Sequence, residues 1–138
     1  MKIEKIEDGY KLFIQNIYFK DINWNDKESV IERIKEIITK IKKRYNLKIK
    51  GLYRVKVYPS SVGVLLYIIL LDEDNYSNLD LDLRIIIIFN KDIYLKIDDS
   101  SFIDNLPYTY KDSYYINVED IDVIEKYIEY GSLVLEDE

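Results

Sequence analysis

At 138 residues and a net charge of −6, the chain can bury a sizeable core and is expected to form one domain spanning residues 1–138. It has no cysteine and no histidine, which excludes disulfides, thiolate nucleophiles, hydrolysis with a histidine base, and zinc held by Cys or His. Alanine is also absent, while Ile, Lys, Asn, Asp and Tyr are heavily used, a bias toward AT-rich codons that points to a low-G+C bacterial or phage genome.

Met1–Glu7 and Tyr10–Phe19 read as a first hairpin, with Asp8-Gly9 as its two-residue turn. Alternating charge follows Met1 and no apolar leader core is seen, so no signal peptide and a cytoplasmic location are expected. Asp21-Ile22-Asn23-Trp24 reads as a loop into a helix. Trp24, the only tryptophan, is expected to staple that helix entrance by packing near Val30.

A long amphipathic helix is predicted over about 26–45. Val30, Ile31, Ile34, Ile37, Ile38, Ile41 and Tyr45 recur at steps of three and four and form one stripe. Asn25 or Asp26 can cap its start, and Asn46 can take the left-handed stop. Leu52–Tyr58 alternates, with Tyr53, Val55 and Val57 on one face and Arg54, Lys56 and Tyr58 on the other. Pro59-Ser60-Ser61 turns the chain into Val64–Leu71, whose only polar atom on a side chain is the Tyr67 hydroxyl. Such a run is buried on both faces, or is covered by the helix on one face and by something else on the other.

Residues 72–78 form the most polar loop. Asp72 and Asp74 hint at a calcium loop, but Tyr76, Ser77 and Leu83 stand where a ligand, the turn glycine and the bidentate Glu belong. Leu83–Phe89 reads as a buried central strand, and Ile34, Ile38 and Ile41 are expected to pack on Leu66, Ile68, Ile86 and Ile88. Ile93–Ile97 is a half-exposed strand. Tyr108–Asn117 reads as a small hairpin around Lys111-Asp112-Ser113. A shorter helix is predicted over about 118–130, capped by Asn117, striped by Ile121, Ile124 and Ile128, and stopped at Gly131. Ser132–Leu135 returns as a short strand. The fold class is therefore α+β: a mostly antiparallel sheet of about six to eight strands, packed by the long helix and the C-terminal one.

Charge is segregated. Residues 1–71 hold 15 Lys/Arg against 8 Asp/Glu, and residues 72–138 hold 5 against 18. Two docking faces follow as candidates: a basic one of Lys42, Lys43, Lys48, Arg54 and Lys56, and an acidic one of Asp98, Asp99, Asp112, Glu119, Asp120 and Asp122. The plainer reading is that the two halves are neighbours and screen each other. Fourteen tyrosines suit a binding surface, although the codon bias alone also raises tyrosine.

No GxxxxGK[ST] loop and no GxGxxG turn occurs. The one constellation with a nuclease look is Asp80, Asp82 and Arg84, which could serve magnesium, but a charged strand entry beside a loop is the favoured reading. No catalytic, cofactor or metal residue is assigned and no cofactor is expected. Met1-Lys2-Ile3-Glu4-Lys5-Ile6, the long helix, Gly51-Leu52 and Gly63-Val64-Leu65, with Glu129-Tyr130-Gly131 and Val134-Leu135 near the end, resemble segments of the MecA-type adaptors of the Clp protease, chiefly their amino-terminal domain. The resemblance covers about half of the chain and transfers no site residue. It implies a bacterial, cytoplasmic, non-enzymatic protein.

The expected function is thus a cytoplasmic binding, adaptor or regulatory protein with a protein partner, and with self-association through segregated charge as an option. The alternative is a small acidic inhibitor or immunity-type protein that binds a basic enzyme surface. A nucleic-acid-binding role ranks below both, since the chain as a whole is acidic, and no membrane role is expected.

Overall fold

Two hydrogen-bonded sheets organise the chain in the computed structural model, which describes residues 1–72, 81–103 and 105–136. The first sheet contains β1 (Lys2–Ile6), β2 (Gly9–Gln15), β3 (Gly51–Pro59), β4 (Gly63–Asp72) and β5 (Leu81–Ile87), in the order β1-β2-β4-β3-β5. Its neighbours are antiparallel except β3 and β5, which run parallel. The second sheet contains β6 (Ile93–Ile97), β7 (Thr109–Tyr110), β8 (Tyr114–Asn117) and β9 (Ser132–Leu135), in the order β7-β8-β6-β9, all antiparallel. The helices are α1 (Lys27–Arg44), between β2 and β3, and the single-turn α2 (Ile124–Tyr127).

The expected architecture, one sheet of about six to eight strands packed by a long and a shorter helix, is not the one adopted. Strand predominates, and the strands are divided five and four between two sheets. The division follows from β4, whose two faces are both apolar. Val64, Leu66 and Ile68 join a core with Ile34, Ile38 and Ile41 of α1, while Leu65 and Tyr67 join a second core with Ile93, Leu95, Ile97 and Ile116. Neighbouring strands split by the same period of two: Leu12 and Ile14 turn to α1, and Phe13 between them turns to the second sheet. After β5 the Ile88 N–H still donates to Val57 O (2.8 Å), and Asn90 then takes a left-handed conformation (φ 64°) where the chain leaves for the second layer.

The two ends of α1 are closed by local chemistry. Asp26 accepts a hydrogen bond from Ser29 Oγ (2.8 Å) and, more weakly, from Ser29 N (3.5 Å). Asn46 sits at φ 53°, with Leu47 N donating to Lys42 O (3.0 Å) and Asn46 N to Lys43 O (3.4 Å), the paired bonds of a Schellman stop. Trp24 stacks on Phe19 (centroids 5.5 Å) and meets Phe89 edge-on (6.5 Å), so it ties the helix entrance to the far end of the first sheet.

Four further expectations are corrected. The C-terminal helix over 118–130 is broken into a 3-10 turn (Val118–Asp120), α2 and another 3-10 turn (Ile128–Tyr130), with Ile121 extended between the first two. Its apolar residues Val118, Ile121, Ile124 and Ile128 are nevertheless buried. β-Branched residues alternating with Asp120 and Asp122 have weak helix propensity, so packing sets the path. Gly131 is not a left-handed stop: its φ is −160°, and its role is close approach, since a Cβ there would lie 2.1 Å from Lys96 O. Ile86 and Ile88 do not face α1. The register opposite β3 turns Leu83, Ile85 and Ile87 toward the helix; Ile86 is 45% exposed and Ile88 packs on the second core. The first turn is also displaced by one residue, since Ile6 pairs with Gly9 and the turn residues are Glu7-Asp8.

The parity is testable. Ile38→Asp should leave no folded protein, because an unpaired carboxylate in that core costs several kcal/mol. Ile86→Asp should change stability by no more than about 0.5 kcal/mol, as is usual for an exposed site. Thermal unfolding followed by circular dichroism distinguishes the two; equal losses would contradict the observed face assignment.

Candidate functional site

Past the last turn of α1 the helix-facing side of the first sheet is left open. Tyr10, Tyr53 and Leu70 floor a recess there, and the turn Glu7–Gly9 and the α1–β3 link border it. Its volume is about 710 Å³. Lys5, Lys42, Lys48 and Lys50 line it, against the carboxylates of Glu7 and Asp8, so the recess is cationic on balance. The link is fixed by two tyrosines: Tyr10 Oη accepts from Lys48 N (3.4 Å), and Tyr53 Oη donates to Lys48 O (3.4 Å). Lys5 Nζ donates to Ile6 O (2.7 Å) and Gly9 O (3.1 Å) and stands 5.1 Å from the Tyr10 ring centroid. Lys42 is half-buried, and Lys48 is exposed at the rim. Gly9 is needed for the turn to close on β4, because a Cβ there would lie 1.8 Å from Ile68 O.

The sequence-predicted basic set is divided by the sheet. Lys42 and Lys48 line the recess, and Lys43 is exposed one residue along α1. Arg54 and Lys56 lie on the opposite side of the first sheet, since Tyr53, Val55 and Val57 take the helix side. Arg54 stands opposite Arg84 in the β3–β5 ladder. Tyr10 and Lys5 were not legible as site residues. They lie some forty positions from Lys48 in sequence, and only the strand order β1-β2-β4-β3 brings them together.

The acidic set lies at both ends of β8. At one end Ser113, a buried hydroxyl, donates to Asp98 Oδ1 (2.6 Å), Asp99 accepts from Ser101 N (2.9 Å), and Tyr115 Oη donates to Asp112 Oδ1 (2.8 Å). At the other end Glu119 Oε1 accepts from Ser61 N (3.2 Å) and Ser61 Oγ (3.1 Å), which ties the β3–β4 turn to the second layer. Asp120 and Asp122 are exposed beside it. Four of these six carboxylates therefore organise local structure. Among the described residues, the pairs Lys2–Glu4, Lys11–Glu4, Arg33–Asp21 and Arg84–Asp82 each join residues of the same half of the sequence.

Asp80 of the nuclease-like constellation, and the calcium-like loop beyond Asp72, lie outside the described residues. Asp82 pairs with Arg84 (3.3 Å). Among the described residues no three carboxylates gather closely enough to hold a metal ion, and no helix is long and apolar enough to cross a membrane. No family model, curated protein or solved structure matches the chain.

The hydrogen bond from Tyr115 holds the Asp112 carboxyl below its usual range, and the same bond raises the Tyr115 phenol. A raised phenol favours the fold below the ordinary tyrosine range, a contribution lost as pH rises through the folded value. Asp112→Asn should bring the Tyr115 titration back down toward the ordinary value while the fold is retained. An NMR titration of ring-labelled tyrosine reads this; an unmoved Tyr115 would contradict the assigned bond.

Proposed function

We propose that this protein acts by binding rather than by catalysis, and that the lysine recess receives an acidic segment of a protein partner. The observation that carries this reading is the pairing of Lys42 and Lys48 with a floor of Tyr10, Tyr53 and Leu70 in one open recess of about 710 Å³. Tyrosine rings offer amphipathic contact area at little entropic cost. Flanking ammonium groups steer an acidic segment toward them and reject basic ones. The absence of histidine and cysteine removes the commonest general bases and nucleophiles, which supports the same reading. An adaptor or regulatory role in the cytoplasm, as the MecA-type resemblance implies, is part of this proposal.

A synthetic peptide rich in Asp and Glu with one aromatic residue, titrated into isotopically labelled protein, tests it. The amides of Tyr10, Lys48 and Tyr53 should shift. Raising salt well above about 0.15 M, where screening acts within about 8 Å, should weaken binding. Lys42→Glu together with Lys48→Glu should weaken it by about tenfold or more. No response, or a response confined to another surface, would contradict the proposal. Tighter binding of a single-stranded oligonucleotide through the same lysines would overturn the protein-partner reading.

A further inference from the structure

The geometry of β5 points to a second copy of this chain as the partner of its open edge: we propose that two β5 strands pair antiparallel about Leu83, joining the first sheets of two molecules. This stands independently of the recess. β5 is bonded to β3 on one side only, and no strand among the described residues occupies the other. The ladder fixes which amides are unsatisfied. Ile88 N–H donates to Val57 O, and Val57 stands opposite Ile87. In a parallel ladder alternate residues of a strand carry the bonds to one neighbour. Asp82, Arg84 and Ile86 therefore turn their amides inward, whereas Leu81, Leu83, Ile85 and Ile87 turn theirs out.

Folded proteins blunt such edges with short strands, proline, or charge. β1, the opposite edge of the same sheet, is marked by Lys2, Glu4 and Lys5, while β7 and β9 are two and four residues long. β5 has seven residues, Leu-Asp-Leu-Arg-Ile-Ile-Ile, without proline, and its β-branched end favours strand pairing. Its only charges are Asp82 and Arg84, two residues apart on one face and already paired at 3.3 Å.

Those charges choose both the occupant and the register. Pairing about Arg84 would set the two arginines against each other, a destabilising like-charge pair. Pairing about Leu83 instead sets each Arg84 opposite the partner's Asp82. These are non-hydrogen-bonded positions, where side chains approach most closely. Each arginine then keeps its own aspartate and gains a second, in an alternating square of four charges. The outward amides of Leu81, Leu83 and Ile85 meet those of the partner's Ile85, Leu83 and Leu81. An unrelated strand would satisfy the same amides, but the self-complementary order Asp82-Leu83-Arg84 fits a two-fold axis through Leu83.

Sedimentation equilibrium over a wide concentration range, with amide exchange beside it, tests the proposal. Wild type should dimerise, and protection of the Leu83 and Ile85 amides should rise with protein concentration. Arg84→Asp and Asp82→Arg, each placing like charges across the axis, should each weaken the dimer by about tenfold or more. The double exchange should restore it. Both side chains reach solvent, so circular dichroism should show each variant folded. A protein that stays monomeric at every concentration would overturn the proposal. So would a dimer indifferent to both single exchanges, or one whose Leu83 and Ile85 amides exchange at the same rate at all concentrations.

Discussion

The fold depends on one strand, β4, that has no solvent face from Val64 to Ile68. Leu65, Leu66 and Ile68 of β4 are fully buried, the first toward the second sheet and the others toward α1. Burying side chains of this size is worth about 1.5–3 kcal/mol each, and that gain requires a cover on both faces. α1 supplies one, through Val30, Ile34, Ile37, Ile38 and Ile41. The second sheet supplies the other, through alternate residues of β6, β8 and β9. Glycines set how closely the layers and strands approach: a Cβ on Gly63 would lie 2.5 Å from the Phe13 ring, so the start of β4 tolerates no side chain without movement.

The covers differ in reach, and that difference makes the surface. α1 ends while the sheet beneath it continues, so the core edge at Tyr10 and Leu70, backed by the buried Tyr53, lines a recess. On the other side Lys11 reaches across the layers, its Nζ donating to Leu133 O (2.7 Å) while lying 5.3 Å from the Tyr67 ring centroid. A lysine stem can cover apolar surface while its ammonium finds a carbonyl. Part of the basic excess of the first half is thus consumed inside the fold, as Asp98 and Glu119 are in the second half. Lys42 and Lys48, beside the recess, remain as the charges best placed for a partner.

Local chemistry was legible in the sequence where period and cap agreed. The α1 stripe, the Asp26 cap, the left-handed Asn46 and the alternation of β3 each rest on a few neighbouring residues. The demand of β4 for two covers was legible too, but not the identity of the second. Nothing local tells Ile93–Ile97 to leave the first sheet, because the gain lies in contacts with Phe13, Tyr58, Leu65 and Tyr67, far away in the chain. Four consecutive isoleucines, Ile85–Ile88, carry no parity of their own, so only the register with β3 decides which of them face α1. The C-terminal segment has a helical stripe and still breaks, since burial of its isoleucines is satisfied by a path of short turns. The basic set read as contiguous because sequence proximity ignores the sheet between Lys48 and Arg54.

If β4 is the shared floor of both layers, its amides should open only when the whole molecule does. Native-state hydrogen exchange with increasing denaturant reads this directly. The expected result is that the amides of Leu65–Ile68 are the slowest in the chain and exchange with the free energy of global unfolding, while α1 and β6 merge with them or open earlier. Exchange of those four amides through a lower-energy opening, with α1 or β6 still protected, would contradict a fold built on the double burial of β4.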